Sequence, residues 1–150
     1  MTQMEMLIEE HPFFKGIDES VIKKIAAFSS EKSFESDEMV IKQGQEMSYL
    51  YLVVHGMLAL ESFTHYNKMI TIQTIRDKEV LGWSWYFPPY QSHFNARAVE
   101  KTRVLAIDAH KLRELITKDK DFGHEIQNRI VMIVVHRLEG TMLQLLDVVY

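Results

Sequence analysis

The sequence contains no cysteine, which excludes disulfides, zinc–thiolate sites, iron–sulfur clusters and a cysteine nucleophile. It also has no apolar run near the ~20 residues that a membrane-spanning helix needs. Basic residues are few, since 17 Lys and Arg stand against 21 Asp and Glu, and the net charge is −4. A DNA-binding domain usually carries a basic surface, so this balance argues against DNA binding.

The size and composition are those of one globular domain. The chain has 150 residues, of which 47% are hydrophobic and 25% are charged, as in ordinary proteins with a single core. The N-terminal segment carries Glu5, Glu9 and Glu10 where a signal peptide carries Lys or Arg. We therefore predict a single domain over residues 1–150 and a cytoplasmic location.

Residues 1–30 predict two short helices. The first is a weak helical pattern over residues 3–10. Asp18 is the expected N-cap of a second helix that runs from Glu19 to Phe28. The apolar stripe of this helix contains Val21, Ile22, Ile25, Ala26 and Phe28. A helix with one such stripe is expected to pack against a core.

Residues 31–107 predict a set of β-strands. Short apolar segments alternate with polar turns at close and regular spacing, a pattern typical of a sandwich or a barrel-like roll. The predicted strands are Met39–Gln43, Tyr49–Val54, Met57–Ser62, Met69–Thr74, Glu79–Leu81, Phe94–Val99 and Arg103–Ile107. Between the second and the third, the pair His55-Gly56 predicts a tight hairpin.

Residues 108–150 predict two helices. Asp108 is the expected cap of a helix from His110 to Lys118, and a helix of about 26 residues, about 40 Å long, follows Asp119. A heptad-like apolar seam on the long helix consists of Val131, Val134, Leu138, Thr141, Leu145 and Val148. A second stripe consists of Ile126, Ile130 and Ile133. Because two stripes need two partners, we predict a homodimer through the seam; the alternative is a helix buried within its own domain.

An aromatic segment, residues 81–93, interrupts the strand pattern. It starts with Leu81-Gly82, and a glycine that follows a strand and opens a short helical turn directs backbone N–H groups outward, which makes an anion site. The candidate ligand-binding residues are Gly82, Trp83, Ser84, Trp85, Ser92 and His93. Large aromatic side chains suit a flat ligand. Alternatively, they plug one end of the roll.

Several sequence segments, in this order, resemble one family. They are HPFFKGIDESVIKKIAAF from residue 11, IKQG from residue 41, YLYLVVHG from residue 49, Leu81-Gly82, ARAV from residue 96 and VLAI from residue 104. Together they resemble the cyclic nucleotide-binding domain of the catabolite-activator (CRP/FNR-like) family and of kinase regulatory subunits. The resemblance implies a mainly β fold: a double-stranded, jelly-roll-like β-roll with flanking helices and a long C-terminal helix. It also implies a regulatory domain that signals through that helix.

The resemblance departs at both polar anchors of the family's ligand. The family's phosphate-binding cassette opens with Gly-Glu, and its glutamate accepts a hydrogen bond from the ribose; here Trp83 follows the glycine, and an indole has no acceptor. The position of the family's phosphate-binding arginine is Ser92, a neutral donor. His93 beside it carries positive charge only in acidic solution. The nearest permanent cation is Arg97, whose family counterpart does not bind phosphate.

Further implications of the resemblance concern Thr141 and the end of the chain. The catabolite activator uses a threonine at the position of Thr141 to reach the purine base, although a threonine in a seam also serves as a spacer. Family transcription factors continue into a helix-turn-helix domain after the long helix, whereas this sequence ends at Tyr150. We therefore expect a stand-alone domain that does not bind DNA or a membrane.

The sequence supports two main hypotheses for the function. One is a ligand-sensing regulatory domain of weak or altered nucleotide specificity, whose ligand is a cyclic nucleotide or another small anion. The other is a degenerate, dimeric interaction module that binds no small molecule and contacts an unknown protein partner. A third, minor hypothesis is a haem-binding domain in which His55, His65 or His93 holds the haem. We expect no enzyme and no metal site, because the sequence has no nucleophile–base pair, metal-ligand set or glycine-rich nucleotide motif.

Overall fold

The computed structural model describes residues 1–149, and it divides the chain into two compact units, Met1–Arg113 and Glu114–Tyr150. The first unit contains all the strands and the second contains most of the C-terminal helical segment. The single domain over residues 1–150 stays a prediction.

Two short helices begin the first unit, as predicted. Helix α1 spans Gln3–Glu10 and starts with a capping box, in which Thr2 Oγ1 accepts from the Glu5 N–H at 3.1 Å and the Glu5 carboxylate accepts from the Thr2 N–H at 2.6 Å. Helix α2 spans Glu19–Ala26, so it ends two residues before the predicted end at Phe28. It buries Val21, Ile22 and Ile25 of the predicted apolar stripe, whereas Ala26 and Phe28 are half-buried. Asp18 occupies its N-cap position, but the carboxylate accepts from the Ser20 hydroxyl rather than from the helix backbone.

Two four-stranded antiparallel sheets follow, which confirms the predicted β-roll class. The strands are β1 Ser29–Phe34, β2 Met39–Ile41, β3 Tyr49–His55, β4 Met57–Phe63, β5 Met69–Arg76, β6 Val80–Leu81, β7 Asn95–Ala98 and β8 Thr102–Asp108. The first sheet has the order β1-β8-β3-β6 and the second the order β2-β7-β4-β5. Both sheets contribute completely buried side chains, among them Leu52 and Leu105 from the first and Leu58 and Ala98 from the second.

The tight hairpin predicted at His55-Gly56 is wrong. Strand β3 pairs with β6 and β8, whereas β4 pairs with β5 and β7, so the chain crosses here from one sheet to the other. His55 still belongs to β3, and Gly56 has a φ of +124°. A Cβ at Gly56 would collide with the side chain and backbone of Thr102. The crossing therefore requires glycine for both its backbone conformation and the close approach of β8.

Strand β1 was not predicted: the predicted helix ended at Phe28 and the first predicted strand began at Met39, whereas β1 spans Ser29–Phe34. Its sequence, SSEKSF, has no run of apolar residues that marks a strand. The strand exists because it pairs with β8 along its whole length, from Ser29 opposite Ile107 to Phe34 opposite Thr102. Tertiary pairing thus outweighs local preference at this edge.

Two helices end the chain, and the predicted cap at Asp108 is present. Helix α3 spans Ala109–Lys118, and Asp108 Oδ1 accepts from the Lys111 N–H at 3.0 Å. Helix α4 spans Lys120–Val149; its 30 residues, about 45 Å, exceed the predicted length. Asp119 Oδ1 accepts from the Phe122 N–H at 3.1 Å. Within residues 1–149, none of the helices has the length and apolar character that crossing a membrane requires.

His11 is a buried histidine at the end of α1. Its residue surface is 5% exposed, and its Nδ1 accepts from the Phe13 N–H at 3.2 Å. Its Nε2 makes no hydrogen bond with the described residues. Burial lowers the pKa of His11 to about 4, and the backbone carbonyls of Val53 and Glu79 only partly oppose this effect. The ring is therefore neutral near pH 7 and is costly to protonate in the folded state.

This burial predicts a loss of stability in acid. The pKa of His11 is about 4 in the folded state against an ordinary value of 6.5, so the unfolded state takes up the proton first as the pH falls. We expect the free energy of unfolding to drop by at most about 3 kcal/mol between pH 6.5 and pH 4 through this group. Urea unfolding at a series of pH values measures the drop.

The matched variants are His11→Gln and His65→Gln, since His65 is exposed. His11→Gln is expected to flatten the pH dependence in this window, whereas His65→Gln retains it. Parallel pH profiles for His11→Gln and the parent would contradict the assignment.

Candidate functional site

The aromatic segment between β6 and β7 is a series of turns. Two of them close through hydrogen bonds from the Tyr86 N–H to the Trp83 carbonyl at 3.0 Å and from the Tyr90 N–H to the Phe87 carbonyl at 2.9 Å. The short helical turn predicted after Gly82 does not lengthen into a helix. Part of the reason is the pair of prolines after Phe87, which have no N–H groups to continue a helical hydrogen-bond pattern.

Backbone N–H groups at the start of the segment differ in their partners. Gly82, with a φ of +71°, donates its N–H to the Val80 carbonyl at 3.1 Å, so this group is already used. Within residues 1–149 the N–H groups of Ser84 and Trp85 make no hydrogen bond. These two groups are the donors that remain for an anion or a polar ligand.

Trp85 and Tyr90 are held together by Arg113 of α3. Arg113 Nη1 donates to the Trp85 carbonyl at 2.6 Å, and its guanidinium carbon lies 3.9 Å from the centre of the Tyr90 ring. Trp85 itself is 1% exposed. Arg113 therefore connects an early and a late residue of the aromatic segment, and the Trp85 indole fills space in the core. Sequence reasoning missed Arg113.

Ser92 closes the other end of the segment. Its N–H donates to the Gln45 carbonyl at 2.9 Å, and its carbonyl accepts from the Gly44 N–H at 2.8 Å. Its hydroxyl donates to the Phe94 carbonyl at 2.6 Å. The one side-chain proton that Ser92 could offer to a phosphate is thus already used within the chain, while His93 beside it is exposed.

Two carboxylates bind Arg97, whose side chain lies on the face of β7 opposite to Ala96 and Ala98. Its Nε and Nη2 each lie 3.1 Å from the Glu61 carboxylate, and its Nη1 lies 2.9 Å from Asp37. Glu61, whose carboxylate is largely buried, is the main cause that raises the pKa of Arg97. Ala96 and Ala98 are buried on the opposite face, as the strand alternation predicts. The charge of Arg97 is therefore balanced within its own sheet.

The histidines named for haem lie in different surroundings. His55 Nδ1 is 3.3 Å from the Asp77 carboxylate, which also accepts from the Gly56 N–H at 2.7 Å. That backbone hydrogen bond is the main cause that lowers the pKa of Asp77. His65 and His93 are both exposed. A haem site stays a prediction.

The predicted seam residues all lie on α4. Four of them are more than half exposed: Val131, Leu138, Leu145 and Val148. Val134 and Thr141 are half-buried, and the Thr141 hydroxyl donates to the Arg137 carbonyl at 2.9 Å. The roles of these residues, and of the six residues of the aromatic segment, stay predictions.

Comparison with known proteins places this chain among cyclic nucleotide-binding domains. A family model described as a cyclic nucleotide-binding domain matches residues 31–119. A protein of Geobacter metallireducens named for cyclic nucleotide binding has the same fold with a TM-score of 0.79 and 27% identity, over 92% of this chain and 99% of that one. The regulatory subunit of a cAMP-independent protein kinase A from Trypanosoma cruzi, bound to guanosine, aligns with a TM-score of 0.63 and 15% identity, over 69% of this chain and 37% of that one.

A plant ion channel is a further relative. The rice potassium channel KAT1 is 22% identical over 125 residues. The match covers 83% of this chain but only 17% of the channel, so the chain spans about a sixth of that relative's length.

The contacts of Arg113 predict its contribution to stability. Arg113→Met keeps the aliphatic stem but leaves the Trp85 carbonyl without this donor and Tyr90 without the cation. We expect a loss of roughly 1–3 kcal/mol in the free energy of unfolding, measured in urea. Lys111→Met, an exposed position on the same helix, is the control and should change stability little. Equal midpoints for both variants would contradict the role of Arg113.

Proposed function

The chain belongs to the cyclic nucleotide-binding domain family, and from this we propose that it is a ligand-sensing regulatory domain with altered ligand specificity. The observation that carries the altered specificity is the pair Trp83 and Ser92. An indole stands where the family has its ribose acceptor, and a hydroxyl already bound to the Phe94 carbonyl stands where it has its phosphate cation.

The remaining charges near the segment do not replace the lost cation. Arg97 is engaged by Glu61 and Asp37, and Arg113 is engaged by the Trp85 carbonyl and the Tyr90 ring. His93 is exposed and adjacent to Ser92, so it is our candidate for a side chain that contacts a ligand. A ligand at this site would rely on hydrogen bonds to backbone groups more than on a fixed charge.

The ligand class follows from these donors. We propose a small ligand with one acceptor group for the Ser84 and Trp85 N–H groups and a flat ring beside the half-buried Trp83. Ser84, Ser92 and His93 complete the proposed contacts, together with Gly82. The regulatory subunit from Trypanosoma cruzi is bound to guanosine, a nucleoside without phosphate, which supports a ligand that lacks the cyclic phosphate.

A second candidate function has support from Trp85. This side chain is 1% exposed, and its carbonyl is bound by Arg113, so the aromatic segment is packed rather than open at this point. According to this second hypothesis, the domain binds no small molecule and acts as a protein interaction module. A thermal-shift screen with cyclic AMP, cyclic GMP, guanosine, inorganic phosphate and haem separates the two functions.

The output of either function is expected to run through α4. We propose that two copies associate through Val131, Val134, Leu138, Thr141, Leu145 and Val148, four of which are more than half exposed. A ligand would then act by binding one arrangement of the helix pair more tightly than another. No catalytic activity is expected. The cytoplasmic location and the absence of DNA binding stay predictions from the composition.

Cyclic AMP and cyclic GMP are expected to bind weakly or not at all. Losing two charge-assisted partners costs about 1.5–3 kcal/mol each, which corresponds to roughly a hundredfold to ten-thousandfold weaker binding than in a family member with both anchors. Isothermal titration calorimetry measures the affinity. Submicromolar binding of either cyclic nucleotide would contradict this prediction.

The double variant Trp83→Glu, Ser92→Arg restores both anchors. If the backbone of the aromatic segment accepts a ligand, this variant should bind cyclic AMP more tightly than the parent, and Trp83→Gln, Ser92→Gln is the uncharged control. A folded double variant with no gain in affinity would favour the packed, non-binding reading instead.

Leu138→Glu is expected to dissociate the chains, because it places a charge from each copy in the apolar seam. Sedimentation equilibrium should find the parent at a multiple of 17.6 kDa and Leu138→Glu at 17.6 kDa. Gln144→Glu introduces the same charge at an exposed polar position of α4 and should keep the parent's mass. A monomeric parent would contradict association through α4.

A further inference from the structure

Helix α4 changes character at Val131. Before it, Phe122, Ile126 and Ile130 are buried, and the exposed positions are polar. From Val131 onward, nine large apolar side chains are between 36% and 83% exposed: Val131, Met132, Val135, Leu138, Met142, Leu143, Leu145, Leu146 and Val148. The second half of the helix therefore presents an apolar surface that the described chain does not cover.

One row of this surface follows a heptad pattern. Val131, Val135, Leu138, Met142 and Leu145 are separated by alternating steps of four and three, as the a and d positions of a coiled coil require. We call these five residues the central row. Relative to the predicted seam, the row keeps Val131, Leu138 and Leu145 and replaces the half-buried Val134 and Thr141 by more exposed side chains. It leaves Val148, the last residue of the predicted seam, in a flanking row.

The rows on either side of the central row are also uncharged with one exception. In this register the g positions are Val134, Thr141 and Val148, and the e positions are Met132, Glu139 and Leu146. Two-stranded coiled coils usually carry charged residues at e and g, which form salt bridges along the edges of the pair. Here Glu139 is the only charged residue among the six.

The width of an apolar surface indicates how many helices it meets. A strict a and d row suits one partner helix, whereas apolar residues at a, d and also e or g are typical of a helix in a bundle. A pair of α4 helices would cover the central row and leave Met132 and Leu146, both more than half exposed, at its edge. Whichever direction the two helices run, each edge of the pair keeps apolar side chains.

We propose that α4 assembles four copies of this chain as a four-helix bundle, a dimer of dimers. The central row joins two copies, and the flanking rows join the two pairs. The occupant of the flanking surface is another copy because that surface is continuous with the central row along one helix, so each pair presents a matching surface to a second pair. This inference rests on the proposed association through α4 and goes beyond it in the number of chains. It also moves Val134, Thr141 and Val148 from the contact within a pair to the contact between pairs.

Sedimentation equilibrium of the full chain tests the number. We expect the parent to have the mass of four chains of 17.6 kDa each. The double variant Met132→Glu, Leu146→Glu should have the mass of two chains, since it charges the flanking row at the e positions and spares the central row. Gln144→Glu, at an exposed position that is polar in the parent, is the matched control and should remain at four.

Each of the other possible results contradicts a specific part of the proposal. A parent of two or three chains, or a flank variant that stays at four, overturns the four-copy bundle and leaves association through α4 intact. A monomeric parent overturns both. If circular dichroism shows that the double Glu variant has lost its fold, the milder Met132→Gln, Leu146→Gln variant takes its place, with the same expected mass of two chains.

Discussion

The roll depends on the contact between Gly56 and Thr102. The chain leaves the first sheet at Gly56, whose N–H is bound by the Asp77 carboxylate at 2.7 Å. It enters the second sheet at Met57, whose N–H is bound by the Thr102 hydroxyl at 3.1 Å. Thr102 is completely buried and pairs β8 with β1 on its other side. Because these partners satisfy the backbone at the crossing, two consecutive strands join different sheets without leaving buried polar groups unpaired.

Local patterns predicted the elements better than their partners. The helices were predictable because their apolar residues repeat at helical spacing, and their boundaries followed from residues such as Asp108 and Asp119, which cap them. The pairing at His55-Gly56 was not predictable, because the same two residues suit a hairpin or a crossing. What decides between them is Thr102, 45 residues beyond Met57, and no local pattern reports a contact at that separation.

The candidate site was predictable in composition but not in its connections. A glycine after a strand and a run of aromatic residues identified the aromatic segment, and residue types alone showed that Trp83 and Ser92 cannot reproduce the family's anchors. The hydrogen-bond partners of the side chains could not be predicted from the sequence. A serine hydroxyl can donate to many acceptors, and Arg97 has acidic residues both near and far in sequence. Arg113 lies 28 residues from Trp85, and nothing in its own helix distinguishes it from a surface cation.

The contact between Arg113 and Trp85 concerns a main-chain carbonyl and not the indole. Every residue type has such a carbonyl, so substitution at position 85 or at its neighbours leaves the acceptor in place. Position 90 is constrained as well, because the Arg113 guanidinium stacks on the Tyr90 ring. The residues between positions 85 and 90 are not subject to this constraint. A ligand site built on this segment can therefore exchange the side chains around Trp85 during evolution while its backbone keeps the contact with Arg113, whereas the buried Trp85 indole itself is fixed by the core.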